Sequence, residues 1–389
     1  MIFLAVHAGN ESLVRAVAHH FTDRPVGDRL SVVFGGYSVE LAMCDHADNK
    51  DLPLCVDLDG TLINTDLLME SLFALLRQSP LSIFLVPFWL LRGKAYLKEQ
   101  IVRRVQIDVT ILPYHAEFLA YLFEWRANGR QLVLATASHL RFAEQVAAHL
   151  GIFESVLATE GGKNLSRSRK GDCLARLYGE GGFDYAGNSR ADLAVWIRAR
   201  SAILVNPVPG IQRKVRRQTP IIAIFDDRNR LFAVYFRALC LPEWIKNLAI
   251  FLPLLAIPQD ENLSMLIRDG LAFLSFGLFT TSACLLSDLL QLPNDRREPY
   301  KRFSALAAGT MSIIHGAVMV PMLFAIATII AFLLSAKYLV VLVGYYILAL
   351  AYFMLLKQQT MRDILLETVL YAVRIIAGWI VVGAQFPLW

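Results

Sequence analysis

From Ala305 to Leu334 the chain runs for 30 residues without an Asp, Glu, Lys or Arg, and with one internal proline, Pro321. Crossing the roughly 30 Å of bilayer hydrocarbon takes about 20 apolar residues at about 1.5 Å each, so this run is long enough to cross. The alternative is a large soluble core of buried helices, which such an uncharged stretch disfavours. Four more apolar runs flank it: Trp244 to Ile257, Leu263 to Leu292, Tyr338 to Leu356, and Asp363 to about Phe386. The second carries Arg268 and Asp269 near its start, and the last has Glu367 and Arg374 inside it. Residues 239–389 are therefore expected to form five membrane helices.

The rest of the chain differs. Residues 1–230 hold most of the charge and read as a globular protein. Overall, hydrophobic residues make up 56%, charged residues 18%, and mean hydropathy is +0.47, which excludes a disordered chain and argues against a wholly soluble one. A net charge of +5 is too mild to indicate a nucleic-acid partner. The five cysteines are scattered with no CxxC pair, so neither a disulfide framework nor a zinc site is expected, and a reducing compartment fits. The start of the chain has no basic segment before its short apolar run and is not read as a cleavable signal. Basic residues Arg213, Lys214, Arg216 and Arg217, then Arg296, Arg297, Lys301 and Arg302, then Lys357 and Arg362 fall on one side of the membrane if the N-terminal half is cytoplasmic. The expected location is the inner membrane, multi-pass, with membrane lipids as partners.

The most informative segment is Leu54-Cys55-Val56-Asp57-Leu58-Asp59-Gly60-Thr61-Leu62. A short apolar strand ends in two aspartates two apart. One carboxylate at a strand end can attack a phosphoryl group. A second can protonate the leaving oxygen and then activate water. Glycine permits a sharp turn beside the phosphate, and strand-end carboxylates suit Mg²⁺. Strands at 54–58, 131–136, 155–158, 183–186 and 202–205 alternate with helical stretches, which predicts a parallel sheet between helices.

This DxDGT segment resembles the haloacid dehalogenase (HAD) superfamily of phosphatases. The resemblance implies Asp57 as nucleophile and Mg²⁺ ligand, and Asp59 as general acid and base with its carbonyl on the metal. It implies that Thr136, in Gln131–Ser138, binds a phosphoryl oxygen, and that Lys170 neutralises phosphate, with Arg169 as the neighbouring alternative. Gly187 and Asp192 fit the family's last motif. Asn188 stands where an aspartate is usual, and both Asn188 and Asp192 are expected at the metal. Gly60 is expected against substrate. Ser138 and Ser189 read as turn or cap residues.

The expected boundaries are an extension at 1–50, the HAD-like α/β domain at 51–210 with a helical cap at about 66–125, a basic linker at 211–238, and the helical part at 239–389. Residues Pro80 to Leu91 of the cap are uncharged, with cations following. That stretch either packs on the sheet or lies in the membrane interface. Leu30 to Phe34 reads as a strand, and Pro220 to Phe225 as a strand or a membrane-surface segment.

In the helical half, Leu241–Asn247 opens the first span and Ser287–Arg302 closes the second. Acids at a membrane helix end beside four cations could hold Mg²⁺ and pyrophosphate. This half resembles the UbiA-type membrane prenyltransferases, in particular their decaprenyl-phosphate phosphoribosyltransferase branch. Asp288, Asp295, Arg296, Pro299 and Lys301 match the aspartate-rich stretch of that branch, and Gln291 replaces its middle aspartate. The resemblance implies that Lys246, Asp288, Asp295, Arg296 and Lys301 contact substrate, and that the bundle is C-terminally incomplete. The combined expectation is an α/β HAD-like phosphatase fused to an all-α transmembrane bundle, using Mg²⁺ and acting on polyprenyl phosphate or another lipid-linked phosphate. Two alternatives remain open: a phosphatase of a small soluble phosphomonoester with a membrane anchor, and a non-enzymatic membrane scaffold.

Overall fold

The structure is a computed structural model that describes residues 30–34, 37–41, 52–160, 165–226, 234–235, 240–255, 263–352 and 360–382. The chain forms two compact units, Met1–Asn229 and Arg230–Trp389.

The first unit is an eight-stranded sheet in the order β1-β2-β8-β7-β6-β3-β4-β5. The strands are β1 Leu30–Phe34, β2 Tyr37–Leu41, β3 Leu54–Val56, β4 Leu132–His139, β5 Ser155–Thr159, β6 Asp184–Gly187, β7 Ala202–Val205 and β8 Ile221–Phe225. The six from β8 to β5 are parallel, and the β1–β2 hairpin adds antiparallel to β8. β3 lies in the middle, and all three of its residues are fully buried. Alternate side chains of a strand point to opposite faces, so a run apolar at every position needs cover on both. Leu54 and Val56 join one hydrophobic cluster with Leu132, Leu134 and Phe118. Cys55 joins the other with Val133, Tyr185 and Trp196.

The strand at 220–225 is thus part of the sheet. The expected linker at 211–238 is corrected over its first half. Helix Ile211–Val215 buries Ile211 and Val215 in the second cluster, and β8 pairs with β7. Within the first fifty residues the strand expected at Leu30–Phe34 is present; most of that segment lies outside the described residues.

The insertion after β3 carries α1 Leu67–Gln78, a 3-10 turn Pro80–Phe84, α2 Val86–Leu91 and α3 Lys94–Val102. Asp66 caps α1 by accepting from the Met69 N–H. These helices enclose a small core of their own, Leu75, Trp89, Leu97, Ile101 and Val105. The next helix, α4 Ala116–Ala127, falls within the cap expected at about 66–125. Instead it gives Phe118, Leu119 and Leu122 to the sheet core.

At the base of the sheet Arg130 and Asp184 form a fully buried ion pair, and Asp184 also accepts from Ser201 and Arg200. Removing one partner of a buried pair leaves an uncompensated charge. Asp184→Ala is therefore expected to destabilise this unit by about 3–5 kcal/mol, read as a lowered midpoint in urea.

The second unit is helical. Leu241–Asn247, a 3-10 turn Leu248–Phe251 and Leu252–Leu255 form one broken run. The long helices are Leu263–Arg297, Ile313–Leu334, Ala336–Ala351 and Thr360–Val382. Five spans are expected; among the described residues two helices are long and apolar enough to cross a membrane, Met265–Arg297 and Ile313–Leu334. Two boundaries differ from expectation. The helix expected to close at Leu292 continues through Pro293 to Arg297, and the run expected from Ala305 becomes helical only at Ile313, after a turn with Gly309 at φ +71°. Cys240 and Cys284 are brought together as a pair, which their scattered spacing in the sequence does not indicate.

Candidate active site

β3 ends at Val56, and the next residue, Asp57, stays in register because its N–H donates to the Ala186 carbonyl at 3.0 Å. Its carboxyl therefore emerges at the end of the central strand. Lys170 reaches it from helix Ser168–Tyr178, donating from Nζ to Asp57 Oδ1 at 2.8 Å. The same ammonium donates to the Tyr185 hydroxyl at 2.7 Å, and that hydroxyl donates to Asp192 Oδ1 at 2.8 Å. Asp57, Lys170 and Asp192 are all buried. Burial pushes the Asp57 carboxyl up to about 6, against the pull of the Lys170 charge. Burial would lower Lys170, but Asp57 and Asp192 beside it outweigh this and hold it above the ordinary lysine range. Arg169, its sequence neighbour, lines a surface cavity instead.

Asp59 is held by a different set. Its Oδ1 accepts from the Leu67 N–H at 2.9 Å, and its Oδ2 accepts from Ser138 Oγ at 2.5 Å. Burial and the nearby Asp66 carboxylate raise it to about 7, despite these two hydrogen bonds. The reading of Ser138 as a turn residue is corrected: β4 runs on to His139, with a register shift against β5 between Ala135 and His139. That extension carries Ser138 to Asp59. The Thr136 hydroxyl is buried and accepts from the Ser138 N–H at 3.0 Å. Lys98, from the cap helix α3, donates to the Ala137 carbonyl at 2.5 Å. Its charge interacts favourably with Asp59 and Asp66, although burial lowers it overall. Tyr185 and Lys98 are not expected at this site from the sequence: the first reads as a strand core residue, and the second as one of the cations that follow the apolar stretch of the cap.

Gly60 adopts φ +74°, and a Cβ there would collide with the Asn188 carboxamide. Asn188 thus lies against the turn that bears Asp57 and Asp59. Asp192 is committed elsewhere: Oδ2 accepts from the Ser189 N–H at 2.9 Å and from Ser189 Oγ at 2.8 Å, while Oδ1 takes Tyr185. Ser189 is a cap residue, as its position in the sequence predicts. Among the described residues no group of three or more His, Cys, Asp or Glu is placed to hold a metal. The oxygen-bearing side chains that the structure brings to this turn are those of Asp57 and Asn188. An all-oxygen set of this kind, closed in by a glycine, suits Mg²⁺.

In the helical unit the expected substrate residues fall into two groups. Lys246 donates to Glu243 at 3.0 Å and to Glu367 at 2.6 Å. Beside it the buried Arg374 donates to Asn247 Oδ1 at 2.9 Å and to the Tyr345 hydroxyl at 2.7 Å. Elsewhere, Lys301 pairs with the buried Asp295 at 3.3 Å and with Glu298 at 3.0 Å. Arg296 donates to the Ala307 carbonyl at 3.0 Å. Asp288 lies about two helical turns before Asp295 on the same helix, half-buried. Gln291 donates to Ser287 at 3.1 Å.

Residues 54–200 match the family model of haloacid dehalogenase-like hydrolases. The chain is 32% identical over 343 residues to an uncharacterized protein, y4nM, of Sinorhizobium fredii, covering 88% of this chain and 66% of that one. It is 31% identical over 150 residues to a decaprenyl-phosphate phosphoribosyltransferase of Mycolicibacterium smegmatis, covering 38% of this chain and 46% of the enzyme. It therefore spans about half to two thirds of the length of these relatives. A substrate-bound phosphoserine phosphatase is among the similar solved structures, at 14% identity and a TM-score of 0.32, covering 48% of this chain and 99% of that one. Both resemblances expected from the motifs, and the expected hydrolase class, are met. Residues 54–200 are a haloacid dehalogenase-like hydrolase domain, joined to a C-terminal helical region homologous to the UbiA-type decaprenyl-phosphate phosphoribosyltransferases.

Proposed function

We propose that the α/β unit is a Mg²⁺-dependent phosphomonoester hydrolase working on a lipid-linked phosphate, on the cytoplasmic side of an inner membrane crossed by the helical unit. The observation that carries the reading is the buried Lys170–Asp57 contact at the end of the central strand, with Asp59 two residues on and turned to a different set of partners. Lys170 occupies Asp57 Oδ1 and favours the ionised carboxylate, leaving Oδ2 to attack phosphorus. The bond from phosphorus to the ester oxygen breaks, a bond to Asp57 forms, and Asp59, raised toward neutrality, gives its proton to the departing oxygen. Water then attacks the phosphoryl group and loses a proton to Asp59, releasing phosphate and restoring Asp57. Thr136 and Lys170 stabilise the phosphoryl oxygens. Bound through Asp57, the Asp59 carbonyl and Asn188, Mg²⁺ would withdraw charge from the phosphoryl group. Asp192 acts through Tyr185, fixing Lys170.

Membrane attachment is supported by Ile313–Leu334. Only 17% of its apolar window is buried, so Val318, Ile329, Phe332 and Leu333 need an apolar surrounding. The lipid-linked substrate rests on similarity to enzymes named for decaprenyl phosphate. In the helical unit Asp288, Asp295 and Lys301 are the proposed diphosphate contacts, with Arg296 and Lys246 supporting.

The test is phosphate release by the reconstituted full chain, with and without Mg²⁺, from a polyprenyl phosphate and from p-nitrophenyl phosphate. Release from both supports the reading. Release from the soluble ester alone identifies the small-substrate alternative, and no release from either contradicts enzymatic function. A pH effect follows as well. The Ser138 hydrogen bond favours ionised Asp59, so Ser138→Ala raises the Asp59 pKa. Because Asp59 must be protonated to act as acid, the alkaline limb of kcat/KM is expected to move to higher pH.

A further inference from the structure

The cap carries an apolar face that no described residue of its own unit covers. From Ser71 to Lys98 there is no Asp or Glu. Within Pro80–Leu91, Ser82 and Trp89 are buried and Val86 half-buried, a spacing of four and three that puts one helical face against the cap core. The other face is equally apolar and exposed: Leu81 at 75%, Phe84 at 69%, Phe88 at 66% and Leu91 at 85%, with Ile83 and Leu85 beside them. An apolar surface this concentrated in one short segment marks an interaction site. The segment is 12 residues, roughly 18 Å if fully helical, so it cannot cross a bilayer.

We propose that this face, Leu81–Leu91, lies in the interface of an anionic lipid bilayer. The charge around it selects lipid over a protein partner. Arg92 and Lys94 are exposed immediately after it, and Arg103 and Arg104 are exposed just past the end of α3. Arg92 stacks on Tyr96 at 5.3 Å, which fixes its guanidinium just past the apolar face, while Arg104 stacks on the buried Trp89 at 4.9 Å, on the side of the cap core. Arg103 is paired with Glu99, so the free cations nearest the face are Arg92 and Lys94, and an apolar segment followed by them fits acyl chains below anionic headgroups. The same chain carries helices able to cross a membrane, so a bilayer is at hand without recruitment. This docking goes beyond the proposed hydrolysis and stands without it; if both hold, the cap samples phosphates borne on lipid.

The test uses the full chain in nanodiscs containing phosphatidylglycerol, with a nitroxide at Phe88→Cys. Leu177→Cys, at another exposed apolar position of the hydrolase domain (57%), is the reference. The expected result is high oxygen and low nickel-chelate accessibility at 88, the reverse at 177, and relaxation of the probe at 88 by nickel-chelating lipids. Equal nickel accessibility at both positions overturns the proposal. So does protection at 88 from oxygen and nickel alike, or spin–spin broadening at 88, since either means that protein covers the face. Phosphate release from p-nitrophenyl phosphate, measured on the same samples, separates the two readings. An inactive protein whose probe still reports lipid refutes the hydrolase and leaves docking standing; an active one with a water-exposed probe does the opposite.

Discussion

Asp57→Asn leaves a folded protein with phosphate release reduced by roughly 10⁴-fold or more, as expected when a nucleophile is removed. The amide matches the carboxylate in shape, and its oxygen can still accept from Lys170. Lys170 also keeps Asp192 at 3.5 Å and the Tyr185 hydroxyl, so the buried ammonium is not stranded. The denaturation midpoint should therefore change far less than the rate. Steady-state phosphate release, paired with a urea titration of the same preparation, checks both halves. A variant that retains activity within about tenfold would move the nucleophile elsewhere.

Asp59→Asn separates the two steps of the reaction. General acid–base catalysis contributes roughly 10²–10⁴-fold, and the loss depends on the leaving group. A nitrophenolate departs without a proton, so formation of the phosphoryl-enzyme from p-nitrophenyl phosphate should fall little. An alkyl or polyprenyl oxygen needs the proton, and there the same step should fall by roughly 10²–10⁴. Attack by water loses its base with either substrate. The variant should release one equivalent of nitrophenolate in a burst and then stall. Stopped-flow absorbance reads the burst; a uniform slowing of both phases for both substrates would deny Asp59 its acid role.

Much of the α/β unit was legible because strand ends advertise themselves. An apolar run that stops at Asp57, and another that stops near Thr136, have few other uses in a parallel sheet. Lys170 was legible from its order in the chain, and burial against Asp57 selects it over Arg169. What stayed hidden depends on where side chains meet after folding. Tyr185 looks like any strand residue until its hydroxyl is found between Lys170 and Asp192. Ser138 reads as a turn because the strand is expected to end at Thr136, three residues before the observed end of β4 at His139. Asp192 shows that a carboxylate in the expected place can be spent on capping a turn and orienting its neighbours. In the helical unit hydropathy located apolar runs but missed two helix ends. The turn before Ile313 carries no charge to mark where the helix starts, and Pro293 sits within a continuing helix.

The most direct measurement is rapid acid quench of the full chain turning over a radiolabelled phosphomonoester with Mg²⁺, followed by peptide mapping. The account predicts a hydroxylamine-labile phosphoryl group on the peptide bearing Asp57, formed and lost at rates compatible with turnover and absent from Asp57→Asn. Turnover without a labelled aspartate, or with the label on another residue, would contradict it.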